Sequence, residues 1–367
     1  GWVSQGLIGR NIVDFDFSEE EQAISDLSQQ IFEDKVTHEH LRLLAKSGSS
    51  FDRDLWASLA STGVVGATID EQFGGSSLSF LGVTALLENV GKYAAPIPVL
   101  ETIITGALPI QEFGSIEQKT ELLPKIIAGE LIVTTALISS GNATIEDGQV
   151  SGSFDFVSFG LEADMLLLPT ESGAFIVESG SPGITLEPRE TTAGHSQAAI
   201  VLKNVDAQQL GTVTSEEFIT WVRLRVDSAI CSIMAGACEA SLDLASAYTK
   251  IRQQFDRAIA TFQAVSQRAG DAYIDTEAVR LTSRQAAWRI SAGLPAKKQV
   301  AIARWWASEA GFRVVHAATH LHGGVGVDRD YPLHRYFLMA RQLELTLGNS
   351  EEQLENLGNL IAESSIQ

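Results

Sequence analysis

Between Glu130 and Asp206 the chain stops reading as helix and reads as strand, and then turns back to helix for its last third. The runs LIVTTALI, GQVSGSFDFVS, ADMLLLPT, GAFIVE, GITLEP and QAAIVLKNV are short, rich in β-branched and aromatic residues, and separated by Gly, Pro, Asn and Asp. They predict a small antiparallel β barrel or sandwich. On the N-terminal side, SEEEQAISDLSQQIFEDKV opens with a serine cap, Ser18, followed by acids that suit the positive end of a helix dipole. FDRDLWASLASTG, the Gly74–Gly75 loop and the apolar LSFLGVTALLENVGKY, ended by AAPIP, continue a helical bundle. On the C-terminal side, periodicity predicts long helices over Ser215–Gln254, Thr261–Ala292, Ala296–His320 and His334–Ala362. Short connections between them favour an antiparallel four-helix bundle. The expected fold class is therefore multi-domain α+β: a helical domain over 14–129, a β domain over 130–212 and a four-helix bundle over 213–367. The first dozen residues, GWVSQGLIGRNI, are set aside as an arm that is either native or added.

A chain of 367 residues can bury several cores. No run approaches the roughly 18 apolar residues that span a bilayer, so no membrane span is expected. With a formal net charge of −20 and no clustered basic face, nucleic acid is an unsuitable partner. Cys231 and Cys238 stand seven apart in a helical pattern, too far around one straight helix to bridge, and read as core thiols. Without a disulfide framework or a signal peptide, the expected compartment is the cytoplasm.

Two stretches carry chemistry. KIRQQFDRAIATFQAV, from Lys250, joins two long helices; Arg252 offers a planar fork of donors suited to a diphosphate, Phe255 a ring face and Gln263 an amide. A plain helical hairpin with a surface arginine would contain the same residues. HLHGGVGVDRDYP, from His320, follows the third long helix. His316 and His320 stand at i and i+4, but no acid lies between them as in HExxH and no cysteine is near, which argues against zinc. Gly323, Gly324 and Gly326 let backbone approach another group closely, as they would also at an ordinary helix end. The chain has no GxSxG elbow, no GxxxxGK[ST] loop and no GxGxxG after a strand.

Together these residues resemble the acyl-CoA dehydrogenase family, FAD enzymes that introduce a Cα–Cβ double bond into a CoA thioester. FDRDLWASLASTGVVGATIDEQFGG is similar to the family's N-terminal helices and loop, GQVSGSFDFVSFGLEADMLLLP to its middle domain, and RQQFDRAIATFQAV and HLHGGVGVDRDYPLHRYF to its two C-terminal FAD motifs. The resemblance implies that Arg252, Gln254 and Phe255 contact the FAD diphosphate and adenosine of a neighbouring subunit and that Phe262 and Gln263 extend that contact. It places His320, Gly323 and Gly324 on the same cofactor, and Ser158, with Phe156 in place of a tryptophan, against the flavin. It also implies electron-transfer flavoprotein as the acceptor.

The family's reaction removes a proton α to the thioester, which needs a carboxylate within hydrogen-bond reach, while hydride leaves Cβ for the flavin. The stretch matching the late base motif is LELTLGNSEEQ, and the base position holds Leu347. The earlier alternative position, in VRLRVDSAICS, holds Val226, with Asp227 about 100 degrees further round the helix. TTALISSGNATIEDG stands where the family has a Thr-Glu-Pro-x-x-Gly-Ser-Asp segment. These departures, and the last 120 or so residues, are similar to the base-lacking subunits of actinobacterial heterotetramers (α2β2) that act on steroid side-chain CoA thioesters and hold FAD between unlike subunits. The expectation is a non-base subunit paired with a sister chain. Two alternatives stay open: a self-sufficient homotetramer with Asp227 as base, and a non-enzymatic binding or scaffold subunit.

Overall fold

In the computed structural model, residues 15–137, 141–346 and 348–364 are described. Ser18 begins helix α1 (Glu19–Lys35) by accepting from the Glu21 amide at 3.2 Å, while the Glu21 carboxylate accepts from the Ser18 amide at 3.0 Å. This reciprocal cap satisfies two N–H groups that the first turn leaves free. Helices α2 (His38–Lys46), α3 (Arg53–Ser61), α4 (Phe80–Tyr93), α5 (Leu108–Phe113) and α6 (Ile116–Ile127) complete the first helical part. Between α4 and α5 lies a segment that the periodicity did not separate out, a π-helix over Val99–Ala107. Val99, Ile103, Ile104 and Ala107 bury it in the core, and it carries one carboxylate inward, Glu101.

The middle part forms two four-stranded sheets, and among the described residues neither closes into a barrel. In one, β1 (Val133–Thr135), β4 (Met165–Thr170), β5 (Gly173–Glu178) and β8 (Gln208–Gln209) lie in that order. The other has the order β2 (Ala143–Glu146), β3 (Gln149–Ser158), β7 (Gln197–Asp206), β6 (Ile184–Pro188). The pairing is not wholly antiparallel: β1 runs parallel to β4. Parallel neighbours need a long crossover, and the β2–β3 hairpin of the second sheet supplies it.

The last part contains α7 (Ser215–Ile251), α8 (Gln263–Ser291), α9 (Lys297–His322), α10 (Leu333–Leu345) and α11 (Ser350–Ser364). The single last helix expected over 334–362 is therefore two. The break has a local part, Gly348 at φ 109°, and a tertiary part. Arg304 of α9, with 0% of its surface exposed, donates to the carbonyls of Leu343 at 3.4 Å, Thr346 at 2.5 Å and Gly348 at 3.1 Å. Asn349 then accepts from the amides of Glu351 at 3.0 Å and Glu352 at 3.1 Å, which starts α11 afresh.

The two helical parts share one core. Where α4 crosses α7, a Cβ on Gly236 would stand 1.8 Å from the Glu88 carbonyl oxygen, and one on Gly91 would stand 1.9 Å from that of Ile233. Backbone meets backbone there, and no larger residue fits at either position. Helix α7 is long and apolar enough to cross a membrane, yet 78% of its apolar window is buried inside the protein. Cys231 and Cys238 are both free and buried on it.

Candidate cofactor site

Helix α7 ends in a tight hairpin of β9 (Gln253–Gln254) and β10 (Arg257–Ala258). Its two turn residues, Phe255 at φ 52° and Asp256 at φ 60°, both take the left-handed conformation that a two-residue hairpin turn requires and that side chains other than glycine resist. Phe255 is 87% exposed at the tip. Behind it, Phe262 meets the Phe255 ring edge-on at 6.2 Å, and the Arg257 guanidinium lies 4.1 Å over the Phe262 ring. Arg252, Gln254 and Gln263 are exposed beside these rings. The Arg252 backbone is fixed: its amide donates to Tyr248 O at 2.9 Å and its carbonyl accepts from Ile259 N at 2.8 Å.

The second arm begins where α9 ends. Gly323 sits at φ 62°, ψ −139°, a region essentially reserved for glycine. A Cβ there or at Gly324 would meet no atom of this chain within 4 Å, so the turn faces open space. His320 is exposed beside it. His316 packs its ring against Phe312 at 4.2 Å and Phe337 at 5.0 Å.

The residue that joins the arms is His322, which the sequence did not single out because it looks like one more histidine in HLHGG. It is buried; Nδ1 lies 2.8 Å from Ala318 O, Nε2 lies 3.0 Å from the Tyr331 hydroxyl, and the ring stacks on Tyr248 at 4.6 Å. Burial pushes its basicity down, more than its backbone contacts raise it. In the neutral ring, Nδ1–H donates to the Ala318 carbonyl and Nε2 accepts from Tyr331. Tyr248 is one turn ahead of Arg252. A small satellite core of Ala245, Ala318, Leu321 and Leu333, flanked by Val265 and Tyr331, fills the space between the arms.

Ser158 stands elsewhere, at the end of β3. The register of β3 against β7 shifts between Phe154 and Val157, a bulge that turns Phe156 out at φ 56° with 48% of its surface exposed. Asp155 anchors the bulge, accepting from the Phe156 amide at 3.1 Å and pairing with Arg189 Nε at 2.7 Å. The Ser158 hydroxyl donates to Glu101 Oε1 at 2.6 Å, and its carbonyl accepts from Thr134 Oγ1 at 2.7 Å. Burial pushes the Glu101 carboxyl up to about 7; the Ser158 hydrogen bond and its own backbone oppose this, and Glu162 adds to it. Sequence reading missed Glu101, because nothing in VLETIITGA marks its single acid as inward-facing.

Of the two base positions, Val226 is buried in the core. The neighbouring Asp227 is buried between two arginines: Arg304 Nε is 3.1 Å from Oδ1, an ion pair without hydrogen-bond geometry, and the half-exposed Arg223 Nε is 3.8 Å from Oδ2. Burial pushes this carboxyl up, while Arg304 and then Arg223 pull it down. Leu347 lies outside the described residues, as do 138–140 of TTALISSGNATIEDG and the first 14 residues. Both neighbours of Leu347 give their carbonyls to Arg304.

An exposed donor fork, two phenylalanine rings, exposed glutamine side chains and a glycine turn facing open space form a set that fits the diphosphate and adenosine of FAD. Comparison with known proteins points the same way. The family model described as acyl-CoA dehydrogenase, N-terminal domain, matches residues 18–130, and that for the C-terminal domain matches 217–362. Acyl-CoA dehydrogenase FadE27 of Mycobacterium tuberculosis is 35% identical, over 96% of this chain and 100% of that protein. Among solved structures, the ChsE4-ChsE5 complex from Mycobacterium tuberculosis superposes with a TM-score of 0.90 at 36% identity, covering 95% of this chain and 99% of that one. Butyryl-CoA dehydrogenase from Megasphaera elsdenii gives 0.87 at 26% identity, covering 95% of this chain and 100% of that one.

Proposed function

Since the chain belongs to the acyl-CoA dehydrogenase family, whose cofactor is FAD, we propose that it is the non-base subunit of a heterotetrameric enzyme desaturating a steroid side-chain acyl-CoA. The observation that carries this reading is the burial of Asp227 beside the fully buried Arg304. A general base needs a free carboxylate oxygen within reach of the substrate proton. Asp227 instead faces two arginines, one of which, Arg304, also holds the carbonyls on either side of Leu347. The arms at 252–263 and 320–324 retain what a dinucleotide needs and present it outward, which suits a cofactor held with another chain. The ChsE4-ChsE5 complex, and a steroid ACAD variant whose structure matches at 35% identity and TM-score 0.89, support the unlike partner and the substrate class.

In this assignment bound FAD supplies the acceptor for the hydride. This chain's part is to bind and orient: Arg252 and the Gly323–Gly324 backbone on the diphosphate, Phe255 and Phe262 on the adenosine, Gln254, Gln263 and His320 beside them, Ser158 toward the flavin. Electron-transfer flavoprotein is the proposed acceptor and the cytoplasm the proposed compartment. The test is purification of the chain alone and co-expressed with a base-bearing paralogue, measuring flavin content and desaturation of a steroid side-chain CoA ester. Flavin retention and turnover are expected only in the co-expressed complex. Turnover by the isolated chain would sink the proposal. Loss of turnover in Asp227→Asn with FAD still bound would move the base to this chain, and a colourless complex would leave a scaffold.

A further inference from the structure

The π-helix, β1 and the end of β3 are tied into a triangle. Thr135 Oγ1 of β1 donates to the Thr105 carbonyl of the π-helix at 2.6 Å. Thr134 Oγ1 of the same strand donates to the Ser158 carbonyl of β3 at 2.7 Å. The third side is the 2.6 Å bond from the Ser158 hydroxyl to Glu101. Both partners of that bond are thus held by backbone ties independent of it. Burying a carboxylate is costly, and a serine that only capped β3 would need no carboxyl at 8% exposure beneath it.

We propose that Glu101 is a positioning residue: it fixes where the Ser158 hydroxyl hydrogen points, and so whether this chain offers a donor or an acceptor at the flavin-facing end of β3. When Glu101 is ionised it can only accept, so the Ser158 hydrogen is held inward and the hydroxyl offers lone pairs outward. When Glu101 takes up one proton, its own O–H donates to Ser158 Oγ and the serine hydrogen is released outward. One proton gained at the carboxyl inverts the polarity of one hydroxyl. A carboxyl pushed up to about 7 holds both states within reach of neutral pH. The other charged group bearing on it is Glu162, which is itself fixed by the Ser196 hydroxyl at 2.6 Å. The outward half of this inference rests on the proposed function, which sets Ser158 against the flavin; the Glu101–Ser158 coupling does not.

Two readouts separate the halves. In the co-expressed complex, the flavin absorption spectrum followed across neutral pH is expected to show one titration step. That step should vanish in Glu101→Gln and in Ser158→Ala, and persist in Ser158→Thr, which keeps the hydroxyl. A parent complex without a step, or a step that survives Glu101→Gln, overturns the inference. On the full chain without flavin, the infrared band of the Glu101 carboxyl, identified by its loss in Glu101→Gln, reports the coupling alone. Ser158→Ala removes a bond to the ionised form, so the carboxyl midpoint is expected to rise. An unmoved midpoint overturns the pair, whereas failure of the complex to retain flavin counts against the proposed function instead.

Discussion

A carboxyl that ionises near neutral pH inside a folded chain leaves a thermodynamic trace. Glu101 is raised from an ordinary 4.5 to about 7, so between those values the folded state binds more protons than the unfolded one. Stability from this group is complete below about pH 4.5 and falls as pH rises toward 7, by about 3 kcal/mol in all. Glu101→Gln removes the slope. Denaturant midpoints of parent and variant should diverge in the variant's favour between about pH 5 and about pH 8; parallel midpoints would refute the assignment. The Asp227–Arg304 pair predicts the opposite kind of change. Asp227→Ala strands a fully buried guanidinium and should cost about 3–5 kcal/mol. Replacing both by apolar residues should recover only part, since Arg304 also serves the carbonyls of Leu343, Thr346 and Gly348; urea unfolding of the single and double variants measures it. Neither Glu101 nor Arg304 was legible in the sequence, and for the same reason. Glu101 meets a partner 57 positions away, and Arg304 meets carbonyls 39 to 44 positions away. No local pattern encodes such a meeting. The residues proposed for the cofactor, Arg252, Phe255 and Gly323, could be picked out in the sequence because what marks them is local: a donor fork, an exposed ring and a positive φ.

At the scale of elements, helices and strands announced themselves wherever a local device specifies them. Ser18 with Glu21 starts α1 by a cap written in four consecutive residues. The break between α10 and α11 was missed although part of it is local: Gly348 sits at φ 109°, and Asn349 and Glu352 cap each other's amides at the start of α11, while α9 supplies the rest through Arg304. The parallel β1–β4 pair escaped for a related reason: strand partners are chosen across the fold. The hairpin at 253–258 makes its own prediction. Asp256 holds φ 60° without being glycine, so Asp256→Gly should raise stability by about 0.5–1 kcal/mol, visible as a small rise in melting temperature. The crossing of α4 and α7 predicts a larger effect. Gly236→Ala sets a methyl 1.8 Å from the Glu88 carbonyl oxygen. The helices must part, at a cost of at least the roughly 1–3 kcal/mol usual for overpacking. A variant with unchanged thermal unfolding would contradict the contact.

For the whole molecule, the succession of helix, strand and helix in the sequence was the most informative single reading, and the structure keeps that order. It did not reveal that the first and last helical parts would share one core. That joint core sets a timetable for synthesis. On the ribosome α4 emerges with an apolar face whose cover, the stretch of α7 around Ile233 and Gly236, is more than a hundred residues away. At roughly 5–20 residues per second the wait is on the order of ten seconds. The two sheets are completed before the helices on either side of them can be sealed, so the nascent chain carries an open seam through much of its translation.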